Sequence, residues 1–183
     1  AQTVSFAFAG QPAVNATTNT ATGKATANLT VPQGVGATTL QVSYAGGFYA
    51  AVTNNVPFTI TKDPVAVNVV SPGATVYGQA ASFTASVVSQ VAGEPTPTGN
   101  VQFVVDGSNL GTPVTLVNGA ATSSPDSALV VGGHSVQAVY SGDGNFLTNT
   151  GSTSQTVNQA ATLVTLQSSV STSKFGESVS YTA

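Results

Sequence analysis

Cysteine, methionine and tryptophan are missing from all 183 residues, and lysine and arginine together number three. Without cysteine there is no disulfide framework and no thiolate metal site. The basic side chains are Lys24, Lys62 and Lys174 alone. Binding nucleic acid by counterion release needs several cations on one surface, so that function is excluded. A polybasic membrane contact is excluded for the same reason. Charged residues make up 5% of the chain, against about 25% in an average soluble domain. Helix surfaces are normally clothed in Lys, Arg and Glu, so a chain this poor in them predicts little or no helix. No apolar run approaches the roughly 18 residues of a membrane helix, and no membrane insertion is expected. No basic, apolar and small-residue leader opens the sequence, and Ala1-Gln2 is expected to be a mature terminus or the edge of a longer chain.

Val and Thr are abundant, with 19 glycines and 9 prolines between them as punctuation. Thr dresses the wet face of a strand as well as Lys dresses a helix. The chain also repeats itself. Thr75-Val76-Tyr77-Gly78-Gln79-Ala80-Ala81-Ser82-Phe83-Thr84-Ala85 returns as Ser173-Lys174-Phe175-Gly176-Glu177-Ser178-Val179-Ser180-Tyr181-Thr182-Ala183, a spacing of 98 between Gly78 and Gly176. His134 to Gly142 echoes Thr38 to Gly46, with Tyr140 standing 96 after Tyr44, and Val101-Gln102-Phe103 echoes Val4-Ser5-Phe6. A period of nearly 100 residues fits a whole β-sandwich rather than a small solenoid unit.

Alternation and turn residues predict strands near 65–71, 81–88, 100–105, 112–117, 120–123, 133–140 and 153–158. Asp106-Gly107 and Asn118-Gly119 supply the positive φ that tight hairpins need. The predicted core is Phe83, Ala85, Val87, Val101, Phe103, Val105, Leu116, Val136, Ala138, Tyr140 and Val157. Burying each Val, Leu or Phe contributes about 1.5–3 kcal/mol.

Taken together, Pro97-Thr98-Gly99-Asn100-Val101-Gln102-Phe103, Leu116-Val117-Asn118-Gly119-Ala120, Gly132-Gly133-His134-Ser135-Val136 and Tyr140-Ser141-Gly142-Asp143-Gly144-Asn145-Phe146 resemble a bacterial immunoglobulin-like repeat domain. The resemblance covers 65–160 well and the rest with less fidelity. It implies an all-β fold of tandem immunoglobulin-like β-sandwiches with Greek-key antiparallel sheets. It also implies a non-catalytic stalk in a large bacterial protein that is secreted or held at the cell surface. Missing cysteine and methionine and scarce lysine fit that exposed setting.

The expected organisation is a partial domain over 1–62 lacking its first two strands, a complete domain over 65–159, and the first two strands of a further domain over 161–183. The two fractions suggest head-to-tail assembly, in which 161–183 of one chain completes the 1–62 half-domain of the next by strand addition. The other reading is a window cut from a longer polypeptide, with neighbouring repeats completing both halves. The apolar residues expected at such a junction are Leu163, Phe175, Val179 and Tyr181 on one side and Phe6 and Phe8 on the other.

Chemistry has few candidates. His134 is the only histidine and is read as a turn or strand-edge side chain rather than part of a triad. Six acids, Asp63, Glu94, Asp106, Asp126, Asp143 and Glu177, are scattered over linkers and hairpin tips, so no enzyme is expected. No cofactor is expected either, calcium being the one candidate. Asp143 and Asn145 would offer it two oxygens, although both residue types also build ordinary Asx turns. An internal Lys–Asn isopeptide bond would need a buried lysine, with Lys24 or Lys62 near Asn residues as the candidates. The alternative function is an adhesin or carbohydrate-binding module, with Tyr49 as the candidate glycan contact.

Overall fold

The computed structural model describes residues 1–32 and 34–183. The described residues contain fourteen strands and no helix. The first four strands, β1 (Thr3–Phe8), β2 (Val14–Thr17), β3 (Gly36–Tyr44) and β4 (Val52–Ile60), form one antiparallel sheet in the order β2-β1-β3-β4. Register sets the character of its faces, because paired residues point to the same side. Phe6 pairs with Val14 and Val42, Phe8 with Leu40, Leu40 with Val56, and Tyr44 with Val52, so one face is almost wholly apolar. The opposite face carries Ser5 with Asn15, and Gln41 with Asn55, hydrogen-bonded across strands at 2.6 and 3.3 Å. That split marks a sheet made to be covered on one side.

Residues 65–158 supply both layers of a sandwich. The strands β5 (Val65–Val70), β6 (Thr75–Val76), β7 (Thr84–Ser89), β8 (Asn100–Val105), β9 (Ser108–Thr115), β10 (Ala120–Thr122), β11 (Gly132–Tyr140) and β12 (Asn149–Asn158) form two sheets. Their orders are β10-β7-β5 and β6-β12-β11-β8-β9. Phe83, Ala85 and Val87 from the first sheet meet Val101, Phe103, Val136, Ala138 and Tyr140 from the second, all fully buried. All eleven residues of the predicted core are buried, joined by Val65, Ala81, Ala121 and Phe146. Asp106 (φ 47°) and Asn118 (φ 51°) each precede a glycine of positive φ, the pairing that lets a two-residue turn follow the strand twist.

Strand limits differ from expectation in places. The ladder after Asp106-Gly107 resumes at once, so β9 starts at Ser108 and stops at Thr115 rather than covering 112–117. Ala81 and Phe83 are core but not strand, since Ala81 makes only an isolated bridge to Asp126. The last strand begins at Asn149, four residues early. Two-residue β6, which runs parallel to β12, is too short to leave a periodic signal. It is held instead by Gln155, a fully buried amide bonded to Ser71, Gly73 and Thr75.

The side chain of Asn149 donates to the carbonyl of Val65 at 2.6 Å, which places the start of β12 beside the start of β5. With ten residues in β12, the chain leaves the sandwich about 30 Å from where it arrives. Beyond it, β13 (Gln167–Ser168) and β14 (Tyr181–Thr182) close a hairpin of their own.

Candidate functional site

In the sandwich, β8, β11 and β12 are roofed by β5 and β7. The equivalent strands β1, β3 and β4 have no second sheet over them among the described residues. Val52, Val56 and Phe58 on that face are exposed, while Phe6 is half-buried. Phe8 departs from expectation. It is 5% exposed, its ring centroid lies 5.2 Å from that of Phe58, and Leu29 and Thr30 share a small cavity with it and Pro12. Its own chain folds over it, so Phe8 is not free to receive a partner.

The residues that would form the opposite layer are at the other end of the chain. Leu163, Phe175 and Tyr181 are 89%, 108% and 68% exposed, and Val179 is half-buried. Register puts Ser168 opposite Tyr181 and Gln167 opposite Thr182, and Val164 and Leu166, just before this short ladder, are exposed as well. These two exposed residues were missed by the sequence reading. The alternation Val164-Thr165-Leu166, which repeats Val67-Asn68-Val69, is the signal that could have found them.

A second site lies where the chain arrives at the sandwich. The Asp63 amide donates to the carbonyl of Asn145, and the Leu147 amide donates to that of Asp63, both at 2.9 Å. Lys62 Nζ donates to the carbonyl of Asp143. The turn that receives these contacts is built by Asp143. One oxygen accepts the amides of Asn145 and Phe146, and the other accepts the amide and hydroxyl of Thr98, at 2.7–2.9 Å. Burial alone would raise the Asp143 pKa, but the hydrogen bonds from Thr98, Asn145 and Phe146 outweigh it and hold it at about 2. Asp143 and Asn145 do share a turn, and the carboxylate there is taken up by four donors. Beside it the Tyr140 hydroxyl is sealed without a hydrogen-bond partner; burial first, and the Asp143 charge second, push it up to about 12.

His134 corrects the expectation of a strand-edge side chain, for it is 7% exposed. Its Nδ1 meets Asp106 Oδ2 at 2.6 Å and its Nε2 meets the Val130 carbonyl at 2.8 Å. Both ring nitrogens face acceptors, which the doubly protonated ring satisfies. The Asp106 hydrogen bond, then the Val130 carbonyl, raise the His134 pKa against burial, and the bond to His134 lowers that of Asp106. Ser135 also bonds Asp106 through its amide and hydroxyl. With Nε2 on a carbonyl, the ring has no nucleophile to activate.

Tyr49 and Phe48 stand exposed at the tip between β3 and β4. Lys24 and Lys62 are both exposed, which removes the buried lysine that an isopeptide bond requires. No group of three or more acids or histidines that could hold a metal occurs among the described residues.

A family model, that of the bacterial Ig-like domain (group 3), matches residues 67–162. Among solved structures, the chain is similar to a structure of Clostridium thermocellum CbhA fibronectin(III)-like modules, at 19% identity over 86% of this chain and 78% of that one, with a TM-score of 0.40. Comparison with curated proteins gives no match.

Proposed function

The chain belongs to the bacterial Ig-like domain family (group 3), and from that premise we propose that it is a non-catalytic structural module of a secreted or surface-held bacterial protein. In this reading a hairpin of the 161–183 type roofs a sheet of the 1–60 type from a neighbouring repeat, and copies add head to tail into a stalk or filament. The observation that carries it is the apolar face of the first sheet, with Phe6, Leu40, Val42 and Val56 and no second sheet over it among the described residues, together with the exposed Val164, Leu166 and Tyr181 of the C-terminal segment. In the sandwich between them, the same two layers are joined. Completion within one chain is opposed by geometry, because the sandwich's points of arrival and departure are about 30 Å apart. Each large side chain buried contributes about 1.5–3 kcal/mol. Association costs about 4–15 kcal/mol, so several such residues must act together.

Sedimentation velocity over a concentration series tests this. Species larger than the monomer are expected to grow with concentration and to vanish in Leu166→Asp/Tyr181→Asp. A monomer at every concentration, with the 1–60 sheet ordered, would overturn it.

Glycan binding is the second reading, supported by the exposed Phe48–Tyr49 tip. It requires glycan-array binding that Tyr49→Ala abolishes.

A further inference from the structure

We propose that the Asp143–Leu147 turn is a latch that locks the incoming linker to its repeat, and that the presence of Asp at this turn decides whether a joint of the array is stiff or hinged. The inference stands on the linker contacts and holds with or without strand completion.

The latch has two sides. On the linker, Pro64 fixes its own φ and favours an extended Asp63, which makes an isolated parallel bridge to Phe146. Asp63 is held through both its amide and its carbonyl, and Lys62 reaches the carbonyl of Asp143. On the turn, nothing is left to give way. The Asp143 carboxylate ties the amides of Asn145 and Phe146 to Thr98 at the start of β8, and the Phe146 ring is 1% exposed in the core. The carbonyls of Asp143 and Asn145 and the amide of Leu147 are therefore fixed in place before the linker arrives, so little ordering is lost on docking.

The first repeat lacks each of these parts. Its equivalent turn reads Gly46-Gly47-Phe48. No carboxylate gathers its amides, the Gly47 amide turns to the Tyr49 carbonyl at 3.1 Å, and Phe48 is fully exposed. Such a turn offers a linker no fixed edge. A repeat with Asp at this place is thus rigidly joined to what precedes it, and one with Gly-Gly is an articulation.

Trypsin reads the latch directly, because Lys24, Lys62 and Lys174 are its only cleavage sites in the chain. Cleavage at each bond is followed by mass spectrometry and divided by the rate for a synthetic peptide of the same local sequence, which removes the slowing by Asp63 and Pro64. In the wild type Lys62 is expected to be cut at least about tenfold more slowly than Lys24. Asp143→Ala is expected to bring Lys62 level with Lys24 while the other two rates and the near-ultraviolet circular dichroism stay unchanged. If Asp143→Ala loses the fold, Thr98→Val, which removes one of the four bonds to the carboxylate, decides: faster cleavage at Lys62 supports the latch. A wild-type Lys62 cut as fast as Lys24, or a Lys62 rate unmoved in a folded variant, would overturn it.

Discussion

The chain holds two versions of one sheet, and among the described residues only one of them has a partner layer. In the 65–158 sandwich, Phe146 is sealed in the core, while Phe48, its counterpart in the 1–60 sheet, is fully exposed. The strands β8, β11 and β12 and the strands β1, β3 and β4 share alternation, pairing order and direction. What separates them is the second sheet. A strand pattern thus specifies a face, and burial depends on what is placed over that face.

The largest expected contrast comes from matching truncations. Phe146→Ala is expected to cost the sandwich about 3–5 kcal/mol, as for other large core deletions, whereas Phe48→Ala in the isolated monomer costs close to nothing. Urea unfolding followed by amide NMR signals from each region separates the two. Equal losses would mean that the 1–60 sheet is already roofed in solution.

The next contrast concerns close approach. A Cβ on Gly151 would lie 2.1 Å from the Val67 carbonyl, so Gly151→Ala is expected to destabilise the sandwich by about 1–3 kcal/mol through overpacking. By register the counterpart of Gly151 is Asn54, since Ala138 pairs with Gly151 and Val42 with Asn54. A hairpin laid over the first sheet must therefore stand farther off at this point than β5 does over β12. Asn54→Gly is accordingly expected to tighten assembly, measured by sedimentation. Weaker assembly would mean that the Asn54 amide itself bonds the incoming strand.

Much of this was legible from residue order. Period-two alternation identified every predicted core residue, and Asp106-Gly107 and Asn118-Gly119 announced their turns, because both signals are local. Gln155, His134 and β6 were not legible. Their burial depends on partners from 4 to 84 residues away, such as Val130 and Asp106 for His134 and Ser71 for Gln155, which no short pattern records. In the C-terminal segment, Leu163, Phe175 and Tyr181 stand out by hydrophobicity and are exposed, and Val164 and Leu166, which only the alternation Val164-Thr165-Leu166 marks, are exposed with them. Phe8 was misjudged because residues 29–30 return over it.

The smallest effects are in pH. Residues 1–60 contain no acid and only Lys24 as a basic side chain, so titration should leave that sheet nearly untouched. In the sandwich, Asp143 has a lowered pKa, so its contribution is complete above the ordinary carboxylate value of 3.8 and lost as pH falls toward about 2. His134 has a raised pKa, so its contribution is complete below 6.5 and lost as pH rises through the folded value. Thermal melts from pH 2 to 9 should therefore show the sandwich most stable between about pH 4 and 6.5, with His134→Ala flattening the alkaline limb. A first-sheet transition that moved with pH in step would contradict the separation of the two regions.

Strand completion is tested most directly by a disulfide in this cysteine-free chain. In the sandwich, Asn158 pairs with Val76, and the repeat places Thr61 and Lys174 at the corresponding positions. Under mild oxidation Thr61→Cys/Lys174→Cys is expected to give a ladder of covalent multimers on a non-reducing gel, and each single variant a dimer at most. Monomer alone from the double variant, at concentrations where the unmodified protein associates, would contradict the account.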